Sequence, residues 1–310
     1  MKCDCRGVKC DTRGSPIRMN ANREMVIPIE KLLWGEPPAN AILAETRRKS
    51  EVIARATGRS PVLATLRVGN DPSSEAYQRM AEKRAASIGV EMRLVAMPRE
   101  SKTDEVLARV GELARDQRVH GIVVRHPIPG SIDKRAVLEA IPMEKDVDGA
   151  GSAALGRVIL GLPAFAPCTP EGIMRLLAFY RIELEGMHAV VLGRSPVLGR
   201  PLASMLINAH ATVTLCHSRT RDIEGIVNRG DLIIAAIGRP RFVRGEWIKE
   251  GTIVVDAGYS EGNIGDVEFG SAIERASHIT PVPGGVGPMT ISVLLSHVVD
   301  SAAAQLGVRI

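Results

Sequence analysis

Aromatic residues are scarce, at 3% of 310 residues: two tryptophans, three tyrosines and four phenylalanines. No basic cluster interleaves with them, so the stacking platforms that grip nucleic acid are missing and no nucleic-acid partner is expected. Charge of one sign is scarce as well. Forty basic residues stand against 35 acidic, a net of +5, which suits a solvated surface or small anionic ligands. No apolar run approaches the roughly 20 residues of a membrane-spanning helix, so no membrane segment is expected. Cysteine is sparse too. Cys3, Cys5 and Cys10 crowd the first ten residues, and Cys168 and Cys216 fall in packed segments. With no signal peptide legible, this pattern reads as free thiols in a reducing, cytoplasmic compartment. Three clustered thiols fall short of the four ligands of a structural zinc site, so no metal is expected.

Residues that are 45% apolar over this length suit two domains, each with its own core. Residues 1–24 lack apolar periodicity and read as a disordered leader, with Met19 or Met25 as a candidate natural start. Helical periodicity runs over Ala39–Ala56, Ser73–Ile88 and Asp104–Arg115, and strands are predicted at Val62–Val68, Met92–Met97 and Gly121–Val124. Strands alternating with helices imply a parallel sheet. A Gly- and Ala-rich stretch, Gly149–Gly161, and a proline-containing joint at Pro163–Pro170 lead to a second α/β unit. Its strands are predicted at Ala189–Leu192, Thr212–Cys216, Leu232–Ile237 and Ile253–Ala257. Pro281–Thr290 reads as a rigid loop, with Thr290 as N-cap of a helix from about Ile291.

Nucleotide binding is suggested at Gly193-Arg194-Ser195-Pro196-Val197-Leu198-Gly199. A buried strand, a glycine turn and a helix start together place backbone N–H groups and a helix dipole at one point, as phosphate binding requires. Ser195 stands where the dinucleotide fingerprint wants glycine, so by itself the stretch also fits an ordinary tight turn. The next strand ends in His217-Ser218-Arg219-Thr220, with no acid until Asp222. An acid there would select NAD through the ribose 2′-OH, whereas basic and hydroxyl groups suit the 2′-phosphate of NADP. Arg194 points the same way.

The strings VGNDPSSEAY (68–77), KDVDG (145–149), PCTPEG (167–172), VLGRSPVLGRP (191–201), ATVTLCHSRT (211–220), GDVEF (265–269) and TPVPGGVGPMT (280–290) resemble those of the bifunctional methylenetetrahydrofolate dehydrogenase/methenyltetrahydrofolate cyclohydrolase family. The resemblance runs in order from about residue 25 to the C-terminus. It implies an α/β fold of two domains flanking a folate cleft: a folate-binding catalytic domain over 25–165, completed by a returning helix at 290–310, and a Rossmann-like NADP-binding domain over 166–289. It also implies a homodimer acting on tetrahydrofolate derivatives in one-carbon metabolism. The reaction implied is hydride transfer from 5,10-methylenetetrahydrofolate to NADP, then hydrolysis of the methenyl product to 10-formyltetrahydrofolate. By the same resemblance Gly193, Arg194, Ser195, Gly199 and Ser218 hold NADP, with Arg194 and Ser218 at the 2′-phosphate, and the backbone near Gly258 and Tyr259 lines the nicotinamide side. Asp148 accepts hydrogen bonds from the pterin, Tyr77 stacks on the aminobenzoyl portion, and the Pro283-Gly284-Gly285 to Thr290 loop closes on the folate.

Two positions depart from the family pattern. The cyclohydrolase lysine, four residues after the tyrosine, is Ala81 here, and Lys83 lies roughly on the far side of the helix. The glutamine that supports that lysine is Arg125, and the residue after it is His126. Hydride transfer needs no general acid or base, but hydrolysis benefits from one by about 10²–10⁴-fold. The expectation is therefore a dehydrogenase with weak or lost cyclohydrolase activity, with Tyr77, Arg125 and Asp148 as its catalytic set. Two alternatives stay open: a fully bifunctional enzyme using Arg125 and His126, in which the neighbouring arginine lowers the histidine's proton affinity, and a non-catalytic folate- and NADP-binding homologue.

Overall fold

The computed structural model describes residues 4–5, 8–9, 28–69 and 72–310, and the side chains of 72–77 lie outside the description. Of the leader, only the two-residue antiparallel pair β1 (Asp4–Cys5) and β2 (Val8–Lys9) is described. The predicted disorder, the candidate start residues and the Cys3 and Cys10 thiols lie outside the described residues.

The first sheet holds β3 (Val62–Val68), β4 (Glu91–Met97) and β5 (Gly121–Val124), all parallel in the order β4-β3-β5. Helix α2 (Pro72–Ser87) follows β3, and α3 (Thr103–Arg115) follows β4. Side chains alternate across β3. Leu63 joins one core with α1 (Glu36–Thr57) and the last helix, while Ala64 and Leu66 join a second core with α3. Four elements follow β5: α4 (Lys134–Glu139), α5 (Ser152–Ile159), α6 (Cys168–Phe179) and the second sheet.

That second sheet comprises β6 (His188–Leu192), β7 (Thr212–Cys216), β8 (Leu232–Ala235), β9 (Ile253–Asp256) and β10 (His278–Ile279), parallel throughout in the order β10-β9-β8-β6-β7. Helices α7 (Gly199–Asn208), α8 (Ile223–Asn228) and α9 (Phe269–Arg275) connect its strands. Strands β6, β8 and β9 are near-continuous apolar runs, and distinct cores cover the two faces of the sheet. Leu32 bridges Ile279 in parallel and the Leu33 amide donates to the Ile279 carbonyl at 2.9 Å, which adds the segment before α1 to this sheet's edge.

One expectation is corrected, and two stretches left unassigned by the sequence prove to hold helices. Helix α10 runs Val286–Leu306 from an N-cap at Gly285, so Thr290 lies inside the helix and Val286–Thr290 is not loop. The glycine-rich connection contains α5, whose alanines favour helix and whose first turn is flanked by Gly151. The proline joint ends in α6. Both α6 and α10 carry proline at their third helical position (Pro170 and Pro288), where the amide has no helical partner to lose. Moreover, α10 is long and apolar enough by length and composition to cross a membrane. It is instead largely buried here, packed on α1 and α6. The polar groups along it find partners inside the protein. The Ser301 hydroxyl lies within donating distance of two carbonyls, those of His120 at 2.7 Å and Glu144 at 2.6 Å.

Candidate active site

The cleft lies where the C-terminal ends of the two sheets face each other, the place where parallel α/β sheets bind ligands. It has two chambers. The larger, about 890 Å³, is lined by Leu63, Thr65, Ala81, Arg125, His126 and Asp148 from the first unit and by Val197 and Tyr259–Gly262 from the second. The smaller, about 650 Å³, is lined by Gly258, Pro283, Gly284, Gly285 and the start of α10. Thr169, Tyr259 and Thr290 line both, so the chambers join. The Thr169 and Thr290 hydroxyls lie 3.1 Å apart at that junction.

On the first wall, Ala81 is buried at 2% exposure with its face to the larger chamber, and Lys83 is exposed on another face of α2. Arg125 leaves the end of β5 and donates from Nη1 to Gln78 Oε1 on α2 at 3.1 Å, which spans the chamber's rim. His126 lines the same chamber. Its proton affinity is lowered by desolvation at the cavity wall and secondarily by the Lys134 charge, rather than by Arg125 as the sequence suggested. Thr65, at 2% exposure, has a hydroxyl without a partner among the described residues. Tyr77 lies on α2, and its side chain is outside the described residues.

Asp148 is half-buried, and desolvation pushes its carboxyl up to about 6. A hydrogen bond from the Cys168 thiol and the charges of His297 and Arg125 pull the other way. Behind it stands a group that sequence reasoning missed. His297, 3% exposed on α10, has Nδ1 2.9 Å from the Val147 carbonyl and Nε2 2.9 Å from Glu171 Oε2 on α6. Glu171 also accepts from Arg175 Nε at 2.8 Å, and these partners draw its carboxyl down to about 2 against the cost of burial. The Cys168 thiol is pushed well up, first by burial and then by Asp148, so it stays protonated. A lone histidine in an otherwise apolar helical run was the legible signal.

The second wall is built from backbone. Gly193 ends β6 with φ +119°, and a Cβ there would lie 2.2 Å from the Ala236 carbonyl oxygen. A Cβ on Gly199 would lie 1.8 Å from the Gly193 oxygen. Only glycine closes this turn at the β6/β8 switch point. Ser195 Oγ accepts from the Leu198 amide at 3.1 Å, so a serine can hold the turn where the fingerprint has glycine. Arg194, Ser195 and Ser218 are exposed at this edge. With Gly193 and Gly199 they line neither chamber, but Val197 of the same turn does.

Two buried carboxylates, also missed from sequence, fix the neighbouring loops. Asp256 accepts from the amides of Gly258, Asp266 and Val267, each at 2.9 Å. Burial pushes it up to about 6 against those three donors. Asp266 in turn accepts from the amides of Ile237, Gly238 and Arg239 at 2.6, 2.9 and 2.7 Å. The string GDVEF contained this residue without revealing that its carboxylate ties two loops together. Gly284 (φ +109°) packs on Trp34, and its carbonyl accepts from the Gly35 amide at 2.8 Å. That contact pins the smaller chamber's floor to the segment before α1.

Residues 33–148 match the family model "tetrahydrofolate dehydrogenase/cyclohydrolase, catalytic domain", and residues 167–306 match its NAD(P)-binding domain. The chain belongs to the tetrahydrofolate dehydrogenase/cyclohydrolase family. The bifunctional protein FolD of Saccharophagus degradans is 48% identical over 276 residues, covering 89% of this chain and 99% of that one. FolD 1 of Streptomyces avermitilis is 49% identical, covering 90% and 97%. Among solved structures, the bifunctional FolD enzyme of Campylobacter jejuni superposes with a TM-score of 0.85 at 41% identity, covering 88% of this chain and 98% of that one. Trypanosoma brucei FolD, solved with NADP cofactor and an inhibitor, gives 0.84 at 36%, covering 89% and 98%. Within this family frame, Asp148 and Arg125 share the larger chamber, while Pro283, Gly284, Gly285 and Gly258 share the smaller. Thr290 and Tyr259 sit where the chambers meet.

Proposed function

We propose that the protein is an NADP-dependent 5,10-methylenetetrahydrofolate dehydrogenase whose cyclohydrolase step is weak or lost. The observation that carries this reading is the composition of the larger chamber. Asp148 is present to receive a pterin, but Ala81 presents only a methyl where the family has its lysine. The turn fits NADP, since Gly193 and Gly199 keep the backbone open to a phosphate, and Arg194, Ser195 and Ser218 are exposed beside it. NADP, when bound, supplies the hydride acceptor. The protein's own part is to orient and to exclude water. Asp148, as carboxylate, accepts from pterin N–H groups, Tyr77 stacks on the aminobenzoyl ring, and the Pro283–Gly285 loop and Thr290 cover the ligand. The loops at Gly258 and 237–239, held by Asp256 and Asp266, shape the nicotinamide side.

Arg125 keeps a positive charge in the chamber, but its pKa above about 12 bars it from cycling a proton near neutrality. The bifunctional alternative therefore rests on His126, which lines the same chamber. Purified protein supplied with methenyltetrahydrofolate distinguishes the two. Loss at the spontaneous rate, alongside robust NADP reduction with methylenetetrahydrofolate, supports the proposal. Enzymatic loss abolished by His126→Ala replaces it with the bifunctional reading. NADP binding without reduction leaves a non-catalytic homologue.

The same proposal includes a homodimer in a reducing, cytoplasmic compartment. Strand β7 is a sheet edge among the described residues, and Ile159 at the end of α5, Leu160 just after it and Ile207 on α7 are 56%, 72% and 57% exposed. Buried free thiols at Cys168 and Cys216 support the compartment. Light scattering of Leu160→Glu, with a dimeric parent and a monomeric variant, checks the interface.

A further inference from the structure

Helix α2 carries Tyr77, Gln78 and Ala81 along the cleft, and little apolar packing holds it there. Over residues 78–87 the buried side chains are Ala81 and Ala85, at 2% and 1% exposure. Each buries a single methyl, which fixes the rotation and axial position of a helix far less than large interdigitating side chains do. The polar ties along this stretch therefore decide where α2 sits. One is the bond from Arg125 to Gln78. The other is Arg84, about one turn beyond Ala81.

Arg84 lies where three helices meet. From Nη1 it donates to the Pro288 carbonyl at 2.8 Å and to the Ser292 hydroxyl oxygen at 3.2 Å, both in the opening turns of α10. From Nη2 it donates to Glu36 Oε2 at 2.7 Å, on the first residue of α1. The planar guanidinium aims its donors in fixed directions, so one side chain sets α2 against two neighbours at once. The two halves of this clasp differ. Ser292 is fully buried and itself donates to the Pro288 carbonyl at 3.1 Å, so the α10 half is held inside the protein. The Arg84 side chain is 13% exposed and that of Glu36 54%, so the α1 half lies open to solvent. Both residues line the smaller chamber, beside the Gly35–Gly284 bond.

We infer that Arg84 is a positioning residue for the substrate. By fixing α2 to the first turns of α1 and α10, it holds Tyr77 in register with the Pro283–Thr290 segment that covers the ligand. Tyr77, Ala81 and Arg84 fall at i, i+4 and i+7, one stripe of the helix. A roll of α2 released at Arg84 carries all three positions with it. This inference rests on the reading of Tyr77 as the residue that stacks on the aminobenzoyl ring.

The test measures steady-state constants for Arg84→Met, which keeps much of the side-chain length and removes its donors, for Tyr77→Ala and for the double variant. Misplacing a binding group by about 1 Å costs up to about 10²-fold, so a loosened α2 should raise the KM for methylenetetrahydrofolate about tenfold, with kcat and the KM for NADP within about twofold. On the Tyr77→Ala background, Arg84→Met should add less than about twofold, because residues that act through one another are not additive. Amide exchange along 78–87 should quicken about tenfold, while β6 and β8 keep their protection. An unchanged KM in Arg84→Met protein that binds NADP normally overturns the inference. So does a rise that persists in full on the Tyr77→Ala background, or one shared equally by kcat and the NADP constant, the mark of general loosening. Glu36→Gln opens only the solvent-side half and should raise KM about threefold. It decides the matter where Arg84→Met does not fold, an unchanged KM again overturning the inference. Tyr77→Ala alone separates the two levels. An unchanged KM there sinks the reading of Tyr77, and the role of Arg84 falls with it. A raised KM there, with none in Arg84→Met, sinks the role of Arg84 alone.

Discussion

The two walls of the cleft are built from different materials. The second-sheet wall uses main chain: glycines at 193, 199 and 258 whose missing Cβ atoms would strike neighbouring backbone or Asp266, and amides tied down by Asp256 and Asp266. The first-sheet wall uses side chains: Ala81, Arg125, His126 and Asp148 around one chamber. A main-chain wall tolerates little change, because one added carbon collides with backbone. A side-chain wall can be rewritten residue by residue while its strands and helices stay in place. The proposed function places its retained step on the first kind of wall and its lost step on the second.

The largest expected effect falls on the side-chain wall. Ala81→Lys should restore a proton-handling group to the chamber and raise methenyltetrahydrofolate hydrolysis by about 10²–10⁴-fold over the parent, measured against the spontaneous rate. No gain would show that the difference between the walls has another origin. Next is Asp148→Asn, expected to lower dehydrogenase kcat/KM by about 10²-fold through lost charge-assisted hydrogen bonds, with NADP affinity intact by calorimetry. The parent's profile should show the sign directly. With Asp148 held at about 6, the carboxylate is lost as pH falls below that value, so kcat/KM should drop approximately tenfold per unit there and level off above it. Gly199→Ala strikes the other wall. NADP affinity should weaken by about tenfold or more as the turn is forced open, while methylenetetrahydrofolate binding stays within about twofold by fluorescence titration. The smallest effect is Arg194→Ala, expected to raise the KM for NADP by about tenfold and leave the KM for NAD unchanged, a steady-state measurement that sharpens the role of the turn's rim.

The same contrast explains what could be read from the sequence. Strands β3 and β5 match their predicted limits, because a doubly covered parallel strand writes itself as a short apolar run, and β7 matches too, as a half-buried edge strand rich in β-branched residues. The glycine turn was legible because conformational need restricts it to one residue type. The starts of α6 and α10 were not, since Pro170 and Pro288 look like breakers until they are placed in a first turn. The return of α10 onto the first unit was implied by the resemblance, but the partners of His297 and Ser301, among them Glu171 and Glu144 far away in sequence, were not legible. Ala81 and Arg125 carry meaning only against a family pattern. As bare residues, an alanine on a helix and an arginine after a strand say nothing. The Asp256–Asp266 pair and the Glu171–His297 pair depend on long-range contacts that no local spacing encodes.

Helix α10 plants its first turn, at Val286 and Met289, in the second unit's core and its remaining length, from Ile291 to Ala303, in the first unit's core. Helix α1 does the same with Ala39 on one side and Leu43 and Ile53 on the other. Mechanically, two stiff beams are each clamped at both ends across one gap. The walls cannot slide apart without uprooting a beam, so the compliant motion left to the cleft is a rocking about the ends at Gly35 and Gly285, whose loops are already bonded to each other through Gly284. Opening for substrate therefore loads the same beam that carries Thr290 at the chamber junction and His297 behind Asp148.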